Sequence, residues 1–148
     1  MASFSPEVQM RFLAILFLLA APIGAAAQIR DSVFADYASY QSFVDEKVYG
    51  RDFRSLIQVL GGRDEYTEEQ LSGVTGRFLT IYPSNFTRHQ VINTRDLGGG
   101  FTQEMRVYWR HDGLGYLYYY ALLHDRGDAL VVIKFNMNSD IDKILAQY

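Results

Sequence analysis

The chain has 148 residues, a net charge of −3 and no cysteine. The lack of cysteine excludes disulfides, thiol nucleophiles, cysteine metal sites and a cysteine-borne lipid anchor. The mildly acidic balance argues against a nucleic-acid binder, which carries a basic excess. Aromatic residues make up 15% of the chain and 11 residues are tyrosine, a side chain that buries its ring while its hydroxyl keeps a polar neighbour.

The first 27 residues differ from the rest. Arg11 precedes an apolar run from Phe12 to Ala21, Pro22 and Gly24 break it, and Ala25-Ala26-Ala27 supplies the small residues a signal peptidase reads. This is the order of a cleavable secretory signal, and the run is about half the ~20 residues a spanning helix needs. Residues 1–27 are therefore expected to be a signal peptide, with Met10 a more typical start than Met1. The mature protein is expected to begin near Gln28 and to be exported to the bacterial periplasm, or otherwise secreted, with no stable membrane anchor after cleavage. The roughly 120 residues that remain suit a single α+β domain over residues 28–148.

Asp31 or Ser32 is expected to cap a first helix, in which Val33, Tyr37, Tyr40, Val44 and Val48 recur at helical spacing as far as Gly50. Phe53, Leu56, Ile57 and Leu60 share one face of a short second helix stopped by Gly61-Gly62. Thr67 and Gln70 form a capping box that opens a third helix, with Leu71, Val74, Phe78, Leu79 and Tyr82 in one stripe and Pro83 behind it. Gly73 and Gly76 lie inside that helix, where each costs about 1 kcal/mol relative to Ala. They are expected to mark close packing against another element.

From Phe86 onward the period changes to two. A first strand is expected over Gln90 to Asp96, followed by a turn at Gly98-Gly99-Gly100. Phe101 to Arg110 alternates, Asp112-Gly113 is a hairpin signal, and Tyr116 to His124 and Leu130 to Asn136 follow as strands around Arg126-Gly127. Ser139 is expected to cap a short terminal helix. With two-residue loops, Trp109, Val107 and Met105 face Tyr116, Tyr118 and Tyr120, which in turn face Met137, Phe135 and Ile133. This face is expected to pack beneath the N-terminal helices. The opposite face then stacks Arg106, Tyr119 and Lys134 in one row, beside Tyr108 and Leu117. Half of it is apolar enough to need a cover, supplied by the chain's own helices, a second subunit or a ligand.

Helices followed by a curved four-stranded antiparallel meander resemble the nuclear transport factor 2-like, or cystatin-like, α+β cone. Phe43 to Gln70 is similar to the opening of small secreted members, with an amphipathic helix, an Arg51-Asp52-Phe53 helix start, a glycine stop and a Glu-Gln helix start. The resemblance implies a cone-shaped pocket between sheet and helices. The superfamily holds enzymes, binding modules and assembly domains, so it does not choose among them.

No constellation for catalysis stands out. His89, His111 and His124 lack metal-ligand spacing, and no Gly-x-Ser-x-Gly elbow is present. Gly98-Gly99-Gly100 lacks the lysine and helix of a phosphate loop. Arg126-Gly127-Asp128 spells an adhesion tripeptide at a hairpin turn, and Asn85-Phe86-Thr87 is a glycosylation sequon. No catalytic residue, metal or cofactor is assigned.

Two binding surfaces are expected instead. The favoured one is a non-catalytic binding or assembly module whose sheet face, through Arg106, Tyr108, Tyr119 and Lys134, meets a protein partner or a second copy. The alternative is a carrier of a small apolar or aromatic ligand in a pocket lined by Trp109, Tyr118 and Tyr120. An enzyme of the cone superfamily ranks third.

Overall fold

The computed structural model describes residues 31–148, and the expected signal segment over residues 1–27 lies outside them. The chain runs β1 (Val33–Phe34), α1 (Tyr37–Tyr49), α2 (Phe53–Gly61), α3 (Glu68–Ile81), β2 (Arg88–Gly98), β3 (Phe101–Trp109), β4 (Leu117–Asp125), β5 (Leu130–Asn138) and α4 (Ile141–Leu145). The fold is α+β, with one open antiparallel sheet in the order β1-β5-β4-β3-β2. It has five strands rather than four, because Val33 and Phe34 pair with Val131 and Leu130 instead of opening a helix. A cap decides this. Asp36, not Asp31 or Ser32, accepts the Ser39 amide at 2.7 Å and starts α1. Asp31 is held instead by Arg63.

Other boundaries follow the local chemistry. Gly50 caps α1, Gly62 follows α2 at φ 89°, and both hydrogen bonds of the Thr67–Gln70 capping box are present. Asp140, rather than Ser139, caps α4. The glycines inside α3 depart from expectation. A Cβ on Gly73 or Gly76 would meet nothing within 4 Å, so neither marks a close approach. Gly100 does, since a Cβ there would stand 2.2 Å from the Asp125 carbonyl oxygen.

The β3–β4 register places Met105 opposite Tyr120 and Val107 opposite Tyr118, as the alternation requires. The β4–β5 register differs. Residues 126–129 form a longer turn in which the Arg126 amide donates to the Ala129 carbonyl at 2.9 Å. Leu123 pairs with Val132 but Leu122 with Lys134, so Ile133 is the extra residue of a bulge. The Arg106–Tyr119 row therefore continues into Met137, and Lys134 falls on the opposite face. A second bulge, in β2, leaves Ile92 outside the ladder, between the Val91–Arg106 and Asn93–Met105 pairs.

The helices cover the sheet face opposite to the one expected. Arg106, Tyr108, Leu117, Tyr119 and Ala121 are all fully buried, in the main core with Tyr40, Val44 and Val48 of α1 and Leu56 of α2. The face of Met105, Tyr118 and Tyr120 receives only α4, whose Ile144 joins Met105 and Tyr120 in a small second core. The physical reason is polar satisfaction. Burial of a polar tip is tolerable only when hydrogen-bonded, and α1 supplies the partners that Glu104, Arg106, Tyr108 and Tyr119 require.

Candidate functional site

The buried polar network under α1 is the first place to look for chemistry. Glu104 and Arg106 are 1% and 0% exposed, and the Arg106 Nε donates to Glu104 Oε1 at 2.7 Å. Tyr40 donates to the same Oε1 at 2.7 Å, and Tyr37 to Oε2 at 2.7 Å. The Tyr40 and Tyr119 hydroxyls lie 2.9 Å apart, with Tyr119 left as donor because the Tyr40 proton is on the carboxylate. Asp45 Oδ1 accepts from Arg106 Nη1 at 3.2 Å and from Tyr108 at 2.7 Å. His89 approaches Asp45 Oδ2 at 3.5 Å and pairs with the Tyr49 hydroxyl. Burial pushes the Tyr40, Tyr108 and Tyr119 hydroxyls up. Desolvation opposes the Arg106 charge, but Tyr40, Glu104 and Tyr108 around it raise its pKa on balance. Every heteroatom of this cluster that is sealed from water is thus paired, which suits a clamp between α1 and the sheet.

This placement revises both expected surfaces. Arg106, Tyr108 and Tyr119 lie together but are buried under α1, and Lys134 is separated from them on the other face. Trp109, Tyr118 and Tyr120 do share one face, which is the outer one. Tyr120 is 2% exposed beneath α4, where Gln103 Nε2 donates to its hydroxyl at 3.1 Å and the Tyr148 ring meets it edge-on. Burial pushes the Tyr148 hydroxyl up to about 12. Trp109 and Tyr118 remain half-buried beyond α4, on either side of the exposed Tyr116 ring, with centroids 6.4 Å from it. They form an aromatic ledge, not a pocket.

A cleft lies elsewhere, between α3 and β5. Its walls are Ile57, Leu71, Val74, Phe78, Phe135 and Met137, and it encloses about 200 Å³. Tyr66, Gln70 and Asn136 supply its polar edge. Gly61 positions Tyr66, whose ring lies where a Cβ would stand, only 2.7 Å from that point. The cleft exists because α3 buries little. Leu71 is its one fully buried side chain, whereas α1 buries Tyr40, Val44 and Val48.

Comparison of the chain with family models, with curated proteins and with solved structures gives no match. The site therefore rests on geometry alone. Among the described residues, no three or more His, Asp or Glu side chains are grouped to hold a metal ion. The adhesion-like tripeptide forms the β4–β5 turn, with Arg126 3.7 Å from Asp128. Asn85 of the sequon accepts from Arg51 Nε at 3.0 Å.

None of the cleft residues was singled out as a binding residue from the sequence. Phe135 and Met137 belong to the strand whose register a bulge resets, which changes the face they occupy. The apolar stripe of α3 was legible, but nothing in it tells that Val74 and Phe78 stay half-buried.

Proposed function

We propose that the protein is an exported, non-catalytic binding module that takes a small apolar ligand in the cleft between α3 and β5. The observation that carries this is the stand-off of α3, which leaves the apolar side chains of Val74, Phe78, Phe135 and Met137 lining an open space at the mouth of the sheet-helix layer. Pockets that take small ligands are concave, mostly apolar and edged by a few polar groups. The nuclear transport factor 2-like cone is the fold reading that accompanies this proposal, supported by the order of helices and meander. Val74→Trp tests it by filling the shared wall. An apolar adduct seen by native mass spectrometry on the native protein should disappear in the variant. An adduct retained at full occupancy would place the ligand elsewhere.

A second reading moves the assembly surface to the other sheet face, carried by Trp109, Tyr116 and Tyr118. What favours it is Tyr116, 45% exposed at the centre of the aromatic ledge. Tyr116→Ser should then shift a dimer to monomer in sedimentation without lowering the melting temperature.

A further inference from the structure

The α3–β5 cleft continues into a second depression of about 340 Å³ that shares Val74, Phe78 and Met137 with it. The two ends of this groove differ in chemistry. The inner end is walled by Ile57, Leu71 and Phe135. The outer end adds Arg77 from α3, Lys143 from α4, and the polar Asn138 and Ser139. Among the described residues, neither Arg77 nor Lys143 lies within ion-pair distance of a carboxylate, a state shared with Arg51, Arg88, Arg95 and Lys134, but none of those four lines either depression. Arg77 spends only its Nε, on the Gly73 carbonyl at 3.3 Å. Asp140 caps α4 through the Asp142 amide, and neither acid lines the groove.

Two cations from different helices thus border one end of an apolar groove without a counter-charge. We propose that the groove binds a free amphipathic carboxylate of medium chain length, with its tail among Val74, Phe78, Phe135 and Met137 and its carboxylate between Arg77 and Lys143. The inference rests on the cleft reading above and adds the ligand's charge and direction. A carboxylate there gains charge-assisted hydrogen bonds from two donors, while the tail is removed from water. The apolar inner end, at about 200 Å³, falls below the ~300–1,000 Å³ of pockets for drug-sized ligands, which suits a slender tail at that end.

Calorimetric titration of the purified protein with decanoate and with decanol separates the two claims. Decanoate is expected to bind at least about tenfold more tightly, the equivalent of one charged hydrogen bond. Arg77→Gln with Lys143→Gln, both exposed positions, should erase that difference and leave decanol binding intact. Added salt should weaken decanoate alone. Val74→Trp should abolish both. Equal binding of the two probes to the unaltered protein would overturn the carboxylate proposal while leaving an apolar cleft. Binding of neither probe would overturn the cleft itself. Sedimentation with anionic phosphatidylglycerol vesicles, in the absence of decanoate binding, would assign the two cations to a membrane headgroup and also overturn the proposal.

Discussion

Under α1 the sheet is closed by a clamp of paired polar groups, whereas under α3 the same side of the sheet is left partly open. α1 sends Tyr40, Val44 and Val48 into the core at four-residue intervals and adds Tyr37 and Asp45 as partners for Glu104, Arg106 and Tyr108. α3 is one residue longer, yet it buries Leu71 alone. Helix length therefore does not set how tightly a layer closes. The spacing of the apolar residues and the presence of polar partners do. The closed half fixes the fold, and the open half is where the proposed ligand would enter.

The sharpest way to break this comparison is Arg106→Ala. Removing one member of a buried pair strands the other, at a cost of about 3–5 kcal/mol, so denaturant unfolding should show a severe loss or no folded state. Glu104→Leu with Arg106→Met should lose much less, since a buried pair is often replaceable by apolar groups of similar size. A double variant as unstable as the single one would mean that the clamp works through geometry rather than through charge pairing.

Alkaline titration comes next. Burial raises the Tyr40, Tyr108 and Tyr119 hydroxyls above the ordinary value of 10.0. Groups whose pKa is raised by folding stabilise the protein below the unfolded value and lose that contribution as pH climbs toward the folded one. Stability should hold up to about pH 10 and fall above it, with these three tyrosines ionising only as the chain unfolds. Tyrosinate absorbance recorded beside far-UV circular dichroism checks this. Full ionisation of all 11 tyrosines in a still-folded protein would show that the α1 half is not closed.

Smaller effects belong to α3. Thr67→Ala removes the hydroxyl that accepts the Gln70 amide at 3.2 Å and should cost about 1 kcal/mol. Gly73→Ala and Gly76→Ala should each stabilise the protein by about 0.5–1 kcal/mol, since both lie in a helix interior facing open space. Loss of stability on either glycine substitution would mean that this helix face is covered by another surface, which thermal melts at several protein concentrations would reveal.

The parts of this fold that were legible in the sequence are those set by local chemistry. The Thr67–Gln70 box, the glycine stops, the three N-terminal helices and the β3–β4 register follow from neighbouring residues, and the structure carries them. Three features were not legible, each for a separate reason. β1 is two residues long, too short to show a period. The bulge at Ile133 exchanges faces for every residue beyond it, so an alternation read from the turn misplaced Lys134 and Met137. The choice of sheet face failed because Glu104 and Arg106 look like surface residues until Tyr40 and Asp45 are brought to them from more than fifty residues away. The cleft is a distance between two elements, and no local pattern encodes it.

Pairing of β1 with β5 has a consequence for the order of assembly. Val33 finds its sheet partner in Val131, close to the other end of the described chain. The sheet edge cannot close until β5 is in place, and the entropy of closing so long a loop must be met before the contact forms. Until then the apolar side chains of β5 stand without their neighbour. The β1–β5 edge should therefore be the last part of the sheet to form.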